Sequence, residues 1–269
     1  MLILLSPAKQ MNFDAATRDL PITTPALIDQ TRMLSKTTRG LTIKKIKSMM
    51  GLSDDLARLN YERFKAFDAD QPGTKQAAMA FNGEVYRGLA AGELSGADLD
   101  WAQDHVRLLS GLYGALRPLD GIHPYRLEMG RKLHTRRGEN LYDFWGKLIA
   151  KHLNETLAEE TDPVVLNLAS NEYFKSVDQK TLKARVITAN FKEEKDGQLR
   201  MLMVYAKRAR GMMARWAIEN RTTNPSDLAD FDTGGYRLDA SQSSDGNLTF
   251  TRPQPEVMKA KPKAKARAA

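Results

Sequence analysis

Cysteine is absent from the 269-residue sequence. That excludes a disulfide framework, a thiolate nucleophile, an iron–sulfur cluster and a cysteine-based zinc site. Histidine is scarce. His105, His123, His134 and His152 share no metal-ligand spacing of the His-Glu-x-x-His kind. Gly-x-Ser-x-Gly, the P-loop and the dinucleotide fingerprint are all missing, so no motif names a reaction, and neither a cofactor nor a metal site is expected. No apolar run reaches the length needed to span a bilayer. The start, Met1-Leu-Ile-Leu-Leu-Ser-Pro, has no basic n-region and reads as a first strand rather than a signal peptide. A cytoplasmic protein without a membrane partner is expected. No internal repeat is present.

What is there fits a globular chain: 42% apolar and 28% charged residues, in a length that suits one large domain or two small ones. The formal charge is +8, and half of the excess sits in 253–269, where four lysines and Arg267 face only Glu256. This Lys/Ala/Pro tail reads as disordered, either solubilising or able to touch polyanions non-specifically. The folded part is expected to be a single domain over 1–252.

The most punctuated stretch is 105–130. Gly111 and Gly114 bracket Leu112-Tyr113, and prolines follow at 118 and 124. Glycine opens backbone conformations that proline closes, so this cannot be one long helix. Its richness in Leu, Tyr and Met argues against a solvated loop. It reads as a shaped, buried segment. Tyr125 and Arg126 are the residues expected to reach a cleft. Arg107, Arg117 and Glu128 are expected to be internal polar contacts.

Residues 1–5 are a strand, and Ser6-Pro7-Ala8-Lys9 lies at its carboxyl end, where α/β proteins place functional groups. Lys9 there is an anion contact or an ordinary surface lysine. A helix is expected over 24–39. In 41–67, Ile43, Ile46, Met49 and Met50 lie on one helical face, Gly51-Leu52 breaks it, and Ser53 caps a second helix with Asp54 and Asp55 in its first turn. Two helices with so short a turn form a helical hairpin. The order Met49, Gly51, Leu52, Ala57 is similar to the helix–hairpin–helix element of DNA repair proteins, whose backbone N–H groups hold a phosphate. Ser53 stands where that element has a second glycine. A plain core hairpin is the alternative.

Farther on, Asn82-Gly83 marks a turn, and Ser95 with Asp98 forms a capping box. A helix is expected over 139–158, with Phe144 and Trp145 in the core. The strand from Val164 ends in Asn167, Ser170, Asn171, Glu172 and Tyr173, a polar cluster with one acid. Strands are expected at 185–189 and 198–205 around an Asp196-Gly197 turn, and a last hairpin pairs 236–239 with 248–252. The helix from Ala206 carries Lys207, Arg208 and Arg210 in its first turn, against the helix dipole. An anion bound nearby would account for them; neutralisation by Glu172, Glu193 or Glu194 is the other account.

Seven ordered words then identify a resemblance. They begin with Met1-Leu-Ile-Leu-Leu-Ser-Pro-Ala-Lys9, Phe81-Asn-Gly-Glu-Val-Tyr-Arg-Gly-Leu89 and Leu108-Leu-Ser-Gly-Leu-Tyr-Gly-Ala-Leu-Arg-Pro-Leu-Asp120. Pro124-Tyr-Arg-Leu-Glu-Met-Gly130, Leu141-Tyr-Asp-Phe-Trp145, Asn167-Leu-Ala-Ser-Asn-Glu-Tyr-Phe174 and Ala206-Lys-Arg-Ala-Arg-Gly-Met212 complete them. Over nearly its whole length, tail excepted, the chain resembles the YaaA family of bacterial peroxide-stress proteins. The resemblance implies a single α+β domain of unusual, cantaloupe-type topology with a basic cleft and a helix–hairpin–helix element. It also implies binding to duplex, bubble or junction DNA, and protection against peroxide linked to lowered free iron and to DNA repair.

Three readings follow. In the first, the hairpin around Gly51 and Ser53 holds DNA phosphate, and Lys9, Arg126, Lys207, Arg208 and Arg210 line a basic cleft. In the second, Lys9, Asn82, Asn167, Ser170 and Tyr173 surround Glu172 as acid/base in an enzyme acting on a nucleobase, nucleotide or other small phosphorylated anion. A closed pocket at Glu172 would favour the enzyme, and an open groove the DNA-binding protein. An iron-handling protein is the third, and without cysteine or clustered histidine it would need an all-carboxylate site.

Overall fold

A computed structural model describes residues 1–15 and 18–255. Its centre is an eight-stranded sheet made of β1 (Leu2–Leu5), β2 (Val106–Ser110), β3 (Gly114–Leu116), β4 (Val164–Leu168), β5 (Arg185–Lys195), β6 (Gln198–Arg200), β7 (Arg237–Leu238) and β8 (Asn247–Pro253). The order is β7-β8-β5-β4-β1-β2-β3, with β6 folded back on β5. Strands β8, β5, β4, β1 and β2 run parallel, and only β3, β6 and β7 are antiparallel. The architecture is therefore the expected mixture of helices and strands, built on a mostly parallel sheet. The parallel pairing is hidden in sequence because about a hundred residues of helix and loop separate β1 from its neighbour β2. Burial follows position. β1, β2 and β4 are central and buried at every residue, whereas β5 alternates.

The 105–130 segment is the buried scaffold its composition indicates. It supplies β2 and β3 and then pairs Gly121–Ile122 with Lys75–Gln76. Arg107 and Glu128 are buried, and Asp120 is fully buried, held by the Arg117 guanidinium and backbone N–H and by the Thr23 hydroxyl. Trp145 and Phe144 are core. The expected helix over 139–158 is two helices, Leu141–Trp145 and Leu148–Thr156, because Gly146 breaks it at φ 45°.

The predicted first helix begins later, as α1 (Ile28–Arg39). The next two, α2 (Ile43–Met50) and α3 (Asp54–Ala66), form the expected pair around the 51–53 turn. Gly51 is left-handed (φ 64°), a conformation that favours glycine. The Ser53 hydroxyl accepts from the Leu56 N–H at 3.4 Å. Lys47 takes Asp54 in an ion pair of 2.8 Å.

Helix α4 (Glu84–Leu89) crosses a long helix, α9 (Met203–Glu219), at Gly88 and Gly211 (labels α5 to α8 go to Gly96–His105, Leu141–Trp145, Leu148–Thr156 and Asn171–Phe174). The expected strand over 198–205 stops at Arg200. Met201-Leu-Met-Val-Tyr205 has strand propensity, but the buried Glu193 carboxylate accepts the Leu202 N–H at 3.3 Å and the chain turns into α9 there. Glu193 also accepts from the Tyr236 hydroxyl and lies 3.5 Å from Arg252, which covers the Tyr236 ring. The Asp196-Gly197 turn has positive φ at both residues (52° and 74°), as a tight β5–β6 hairpin requires. The last hairpin forms as expected, but β8 runs to Pro253, one residue past the anticipated boundary, and Gln254 N–H still bonds Glu194 O. From 256 on, the tail lies outside the described residues. Among the described residues no helix is long and apolar enough to cross a membrane.

One buried group sets a pH dependence. His152 on α7 is partly buried, and its Nε2 has no partner among the described residues. Burial first, then Arg107, hold its pKa below the ordinary value; Glu155 and Asp120 oppose this and Arg117 adds to it. A base depressed on folding stabilises the fold above its unfolded pKa and loses that contribution as pH falls through the folded one. His152→Gln is therefore expected to reduce the drop in melting temperature between pH 7.5 and 5. An unchanged drop would remove His152 as its source.

Candidate functional site

The carboxyl ends of β1 and β4 lie side by side, because these strands pair in register from Leu2↔Val165 to Leu5↔Leu168. The chain leaves β1 towards β2 on one side and reaches β4 on the other. The crevice at such a switch of direction is where open α/β sheets bind ligands. Ser6 and Ser170 meet there, with Ser170 N–H donating to Ser6 Oγ at 2.8 Å. Tyr86 Oη donates to Ser6 O at 3.1 Å.

Lys9, Tyr125 and Arg126, expected at the basic cleft, and Tyr173, expected with Lys9 around Glu172, line one small cavity in this crevice. They gather around Glu128. Its carboxylate lies 3.0 Å from Arg126, 3.3 Å from Arg131 and 3.9 Å from Lys9, so three cations share one buried acid. The excess charge is positive. The phenols are not acid–base groups at neutral pH. Burial raises the pKa values of Tyr86, Tyr125 and Tyr173, and Tyr125 shares its hydroxyl hydrogen bond with Ser110 at 2.6 Å.

Glu172 is exposed, and its Oε1 accepts the Gly130 N–H at 3.0 Å. It anchors the loop that carries Arg131 and Lys132. The cavity between Lys9 and Tyr173 is about 10 Å³, too small for a nucleobase, and Glu172 does not line it. Asn167 is buried and turned inward: its amide donates to Thr188 and its carbonyl accepts the Ala169 N–H. Asn82 is exposed, pairs with Gln10 and lines a separate cavity of about 530 Å³. The residues proposed to surround Glu172 are thus not gathered in one pocket.

Across the loop from Glu172 lies an open cavity of about 360 Å³. Lys45, Ser48 and Met49 of α2 face Gly130, Arg131 and Lys132 over it. Lys45 and Lys132 enter no ion pair among the described residues, and no acid lines the cavity. Gly51 and Ser53 form the turn beyond it and do not line it. Sequence reading missed Lys45 and Lys132. The usable signal was three cations, Lys44, Lys45 and Lys47, on the helix before the glycine turn.

Lys207, Arg208 and Arg210 lie one turn further into their helix than expected, since α9 starts at Met203. None of them is ion-paired among the described residues. The acids that could have neutralised them are engaged elsewhere: Glu172 with Gly130, Glu193 with Tyr236 and Arg252, and Glu194 with Gly197 N–H. Arg210 is half-buried, its Nε has no partner among the described residues, and burial lowers its pKa. Among the described residues no group of three His, Asp or Glu side chains is placed to hold a metal ion.

A family model described as "Peroxide stress protein YaaA" matches residues 1–242. The chain belongs to that family. Its relatives extend over nearly the whole length. A UPF0246 protein of Maricaulis maris is 75% identical over 255 residues, 95% of this chain and 97% of the relative. One from Caulobacter vibrioides is 52% identical over 255 residues, covering 95% of this chain and all of the relative. One from Bordetella petrii is 51% identical over 254 residues, 94% of this chain and 99% of the relative. The family match spans the β1–β4 crevice, the α2–α3 pair and α9.

Proposed function

We propose that this peroxide-stress family member works by holding duplex or distorted DNA against the basic face built from the α2–α3 pair, the 128–132 loop and α9. On this reading α2, Gly51 and α3 are a helix–hairpin–helix element within a cantaloupe-type fold, and peroxide protection, with lowered free iron, follows from DNA binding. The observation that carries it is the cavity where Lys45 and Ser48 face Arg131 and Lys132, with the neighbouring Glu139 lying 3.1 Å from His134. Two unpaired lysines and an arginine held by a single shared carboxylate form a site for a phosphate chain. Such contacts position a protein on nucleic acid without reading its sequence. Lys9, Arg126, Lys207, Arg208 and Arg210 extend the positive field. Pairing of Asp54 with Lys47 removes the acid that would most oppose a phosphate near the hairpin.

An enzyme with Glu172 as its acid/base is less well supported, because Glu172 is exposed, bonded to a backbone N–H and does not line the small cavity between Lys9 and Tyr173. The test is the salt dependence of binding to a short duplex. With about four phosphates contacted, log K is expected to fall against log salt with a slope of about −3.6. A flat dependence, or no binding at low salt, would refute the proposal.

A further inference from the structure

The cavity of about 530 Å³ beside Asn82 has no part in the basic face. It shares no lining residue with the crevice around Glu128 or with the space between α2 and the 130–132 loop. Its walls come from the segment after Met11, from the stretch Lys75 to Asn82, and from α4 with the turn that follows it. The volume lies within the range of about 300–1,000 Å³ that sites for small organic molecules occupy. Much of the lining is apolar: Ala78, Phe81 and Ala91 are buried, and Leu20 and Met79 are half-buried.

Charge selects the ligand. Three cations, Arg18, Lys75 and Arg87, and two acids, Asp14 and Glu93, line the cavity. Arg87 is paired with Glu84, and Glu93 lies 2.9 Å from Arg215. Arg18, Lys75 and Asp14 enter no ion pair among the described residues. Two cations against one acid suit a monoanion better than a phosphate dianion. Arg18 is already held in place. Its Nη1 donates to Gly92 O at 3.0 Å and to Leu94 O at 2.6 Å, while Nε and Nη2 have no partner among the described residues. Those two nitrogens form the edge of a guanidinium that takes both oxygens of a carboxylate. Lys75 Nζ is fixed at the same cavity by Asp14 O at 3.0 Å and keeps its remaining donors. Gln76 is only 4% exposed. Its Nε2 donates to Leu20 O at 2.7 Å and to Pro21 O at 3.2 Å, which fixes the amide and leaves Oε1 with no donor among the described residues. Buried acceptors are ordinarily satisfied, so Oε1 calls for an N–H or O–H on whatever fills the cavity.

We propose that this cavity binds a small organic monocarboxylate with an apolar body and one N–H or O–H donor. Arg18 takes the carboxylate with Lys75 beside it, Ala78, Met79 and Phe81 hold the body, and Gln76 Oε1 accepts the donor. The unpaired acid, Asp14, is exposed, so the geometry is that of a binding site and not of a reaction centre. The site is independent of the DNA-binding reading, since neither Arg18 nor Lys75 belongs to the basic face.

The experiment titrates the full-length protein with indole-3-acetate, which carries a carboxylate, a planar apolar body and an N–H. Calorimetry and amide chemical shifts follow the binding. Saturable binding with shifts at Asn82 and Gly92 is expected. Indole-3-acetamide, which lacks the charge, and 1-benzothiophene-3-acetate, which lacks the N–H, should each bind about tenfold more weakly. Arg18→Gln and Lys75→Met should each weaken indole-3-acetate binding by about tenfold and leave duplex binding and its salt slope unchanged. Arg18 also holds two carbonyls, so if Arg18→Gln fails to fold, Lys75→Met decides the matter, with a thermal melt as its folding check. Lys45→Ala/Lys132→Ala should bind indole-3-acetate like the wild type. The proposal is overturned if the wild type does not bind indole-3-acetate, if the acetamide binds equally well, or if both cavity variants keep full affinity. Loss of binding in Lys45→Ala/Lys132→Ala would place the acid on the basic face and overturn it too. Tighter binding of indoxyl phosphate than of indole-3-acetate would overturn the monocarboxylate assignment. None of these outcomes bears on DNA binding, which the duplex titrations test separately.

Discussion

Replacing Gly211 with leucine is expected to leave no folded protein. A Cβ on Gly211 would lie 1.8 Å from the Val85 carbonyl oxygen and 2.7 Å from the Leu89 nitrogen. The reciprocal contact is equally close: a Cβ on Gly88 would come within 2.1 Å of the Arg208 carbonyl oxygen. These neighbours are backbone, so no rotamer change relieves the clash and the two helices must separate. Separation would also disturb Ala206, Ala209, Ala214 and Ala217, small buried residues along α9. The cost should exceed about 4 kcal/mol, a large part of the roughly 5–15 kcal/mol that holds a domain together. Circular dichroism and soluble yield would report it. Gly92→Ala is the control, because a Cβ there meets nothing within 4 Å. A Gly211→Leu protein that melts like the wild type would refute this account of the crossing.

The second large effect concerns DNA. Lys45→Ala/Lys132→Ala is expected to weaken duplex binding about a hundredfold at moderate salt, if each lysine makes one charge-assisted phosphate contact of roughly 1.5 kcal/mol. The salt slope should become shallower by about 2, since each removed phosphate contact takes about one unit from it. The two signatures together separate a phosphate contact from a folding defect, which would lower active protein without changing the slope. Neither lysine is ion-paired among the described residues, so neither substitution strands a buried partner. Unchanged affinity and slope would show that phosphate does not occupy the cavity between α2 and the 130–132 loop.

Local signals in the sequence carried a good part of the fold. Ser53 caps α3, and Ser95 with Asp98 forms a complete capping box on Gly96–His105, because these hydroxyls and carboxylates satisfy N–H groups a few residues away. Asp196-Gly197 made the turn its residue types require. Trp145 and the 105–130 segment were buried, as their apolar content indicated. Each of these depends on residues near in the chain. The errors came where a distant partner decided. Residues 201–205 favour a strand by propensity, but packing of α9 on α4 and the Glu193 carboxylate end the strand at Arg200.

The candidate site divides along the same line. The sequence alone determined that Lys9, Arg126, Lys207, Arg208 and Arg210 exist beside strand ends and a glycine turn, and its seven ordered words determined the family. It also excluded cysteine chemistry outright. Only the tertiary structure decided which cations are free. Glu128 gathers Lys9, Arg126 and Arg131, while Glu193 and Glu194 turn away from α9. It also decided that Lys45 meets Lys132, that Glu172 braces a loop, and that Asn167 faces inward. The physical reason is that charge and polarity are properties of a residue, whereas neutralisation and access depend on which distant residues the sheet order brings alongside it.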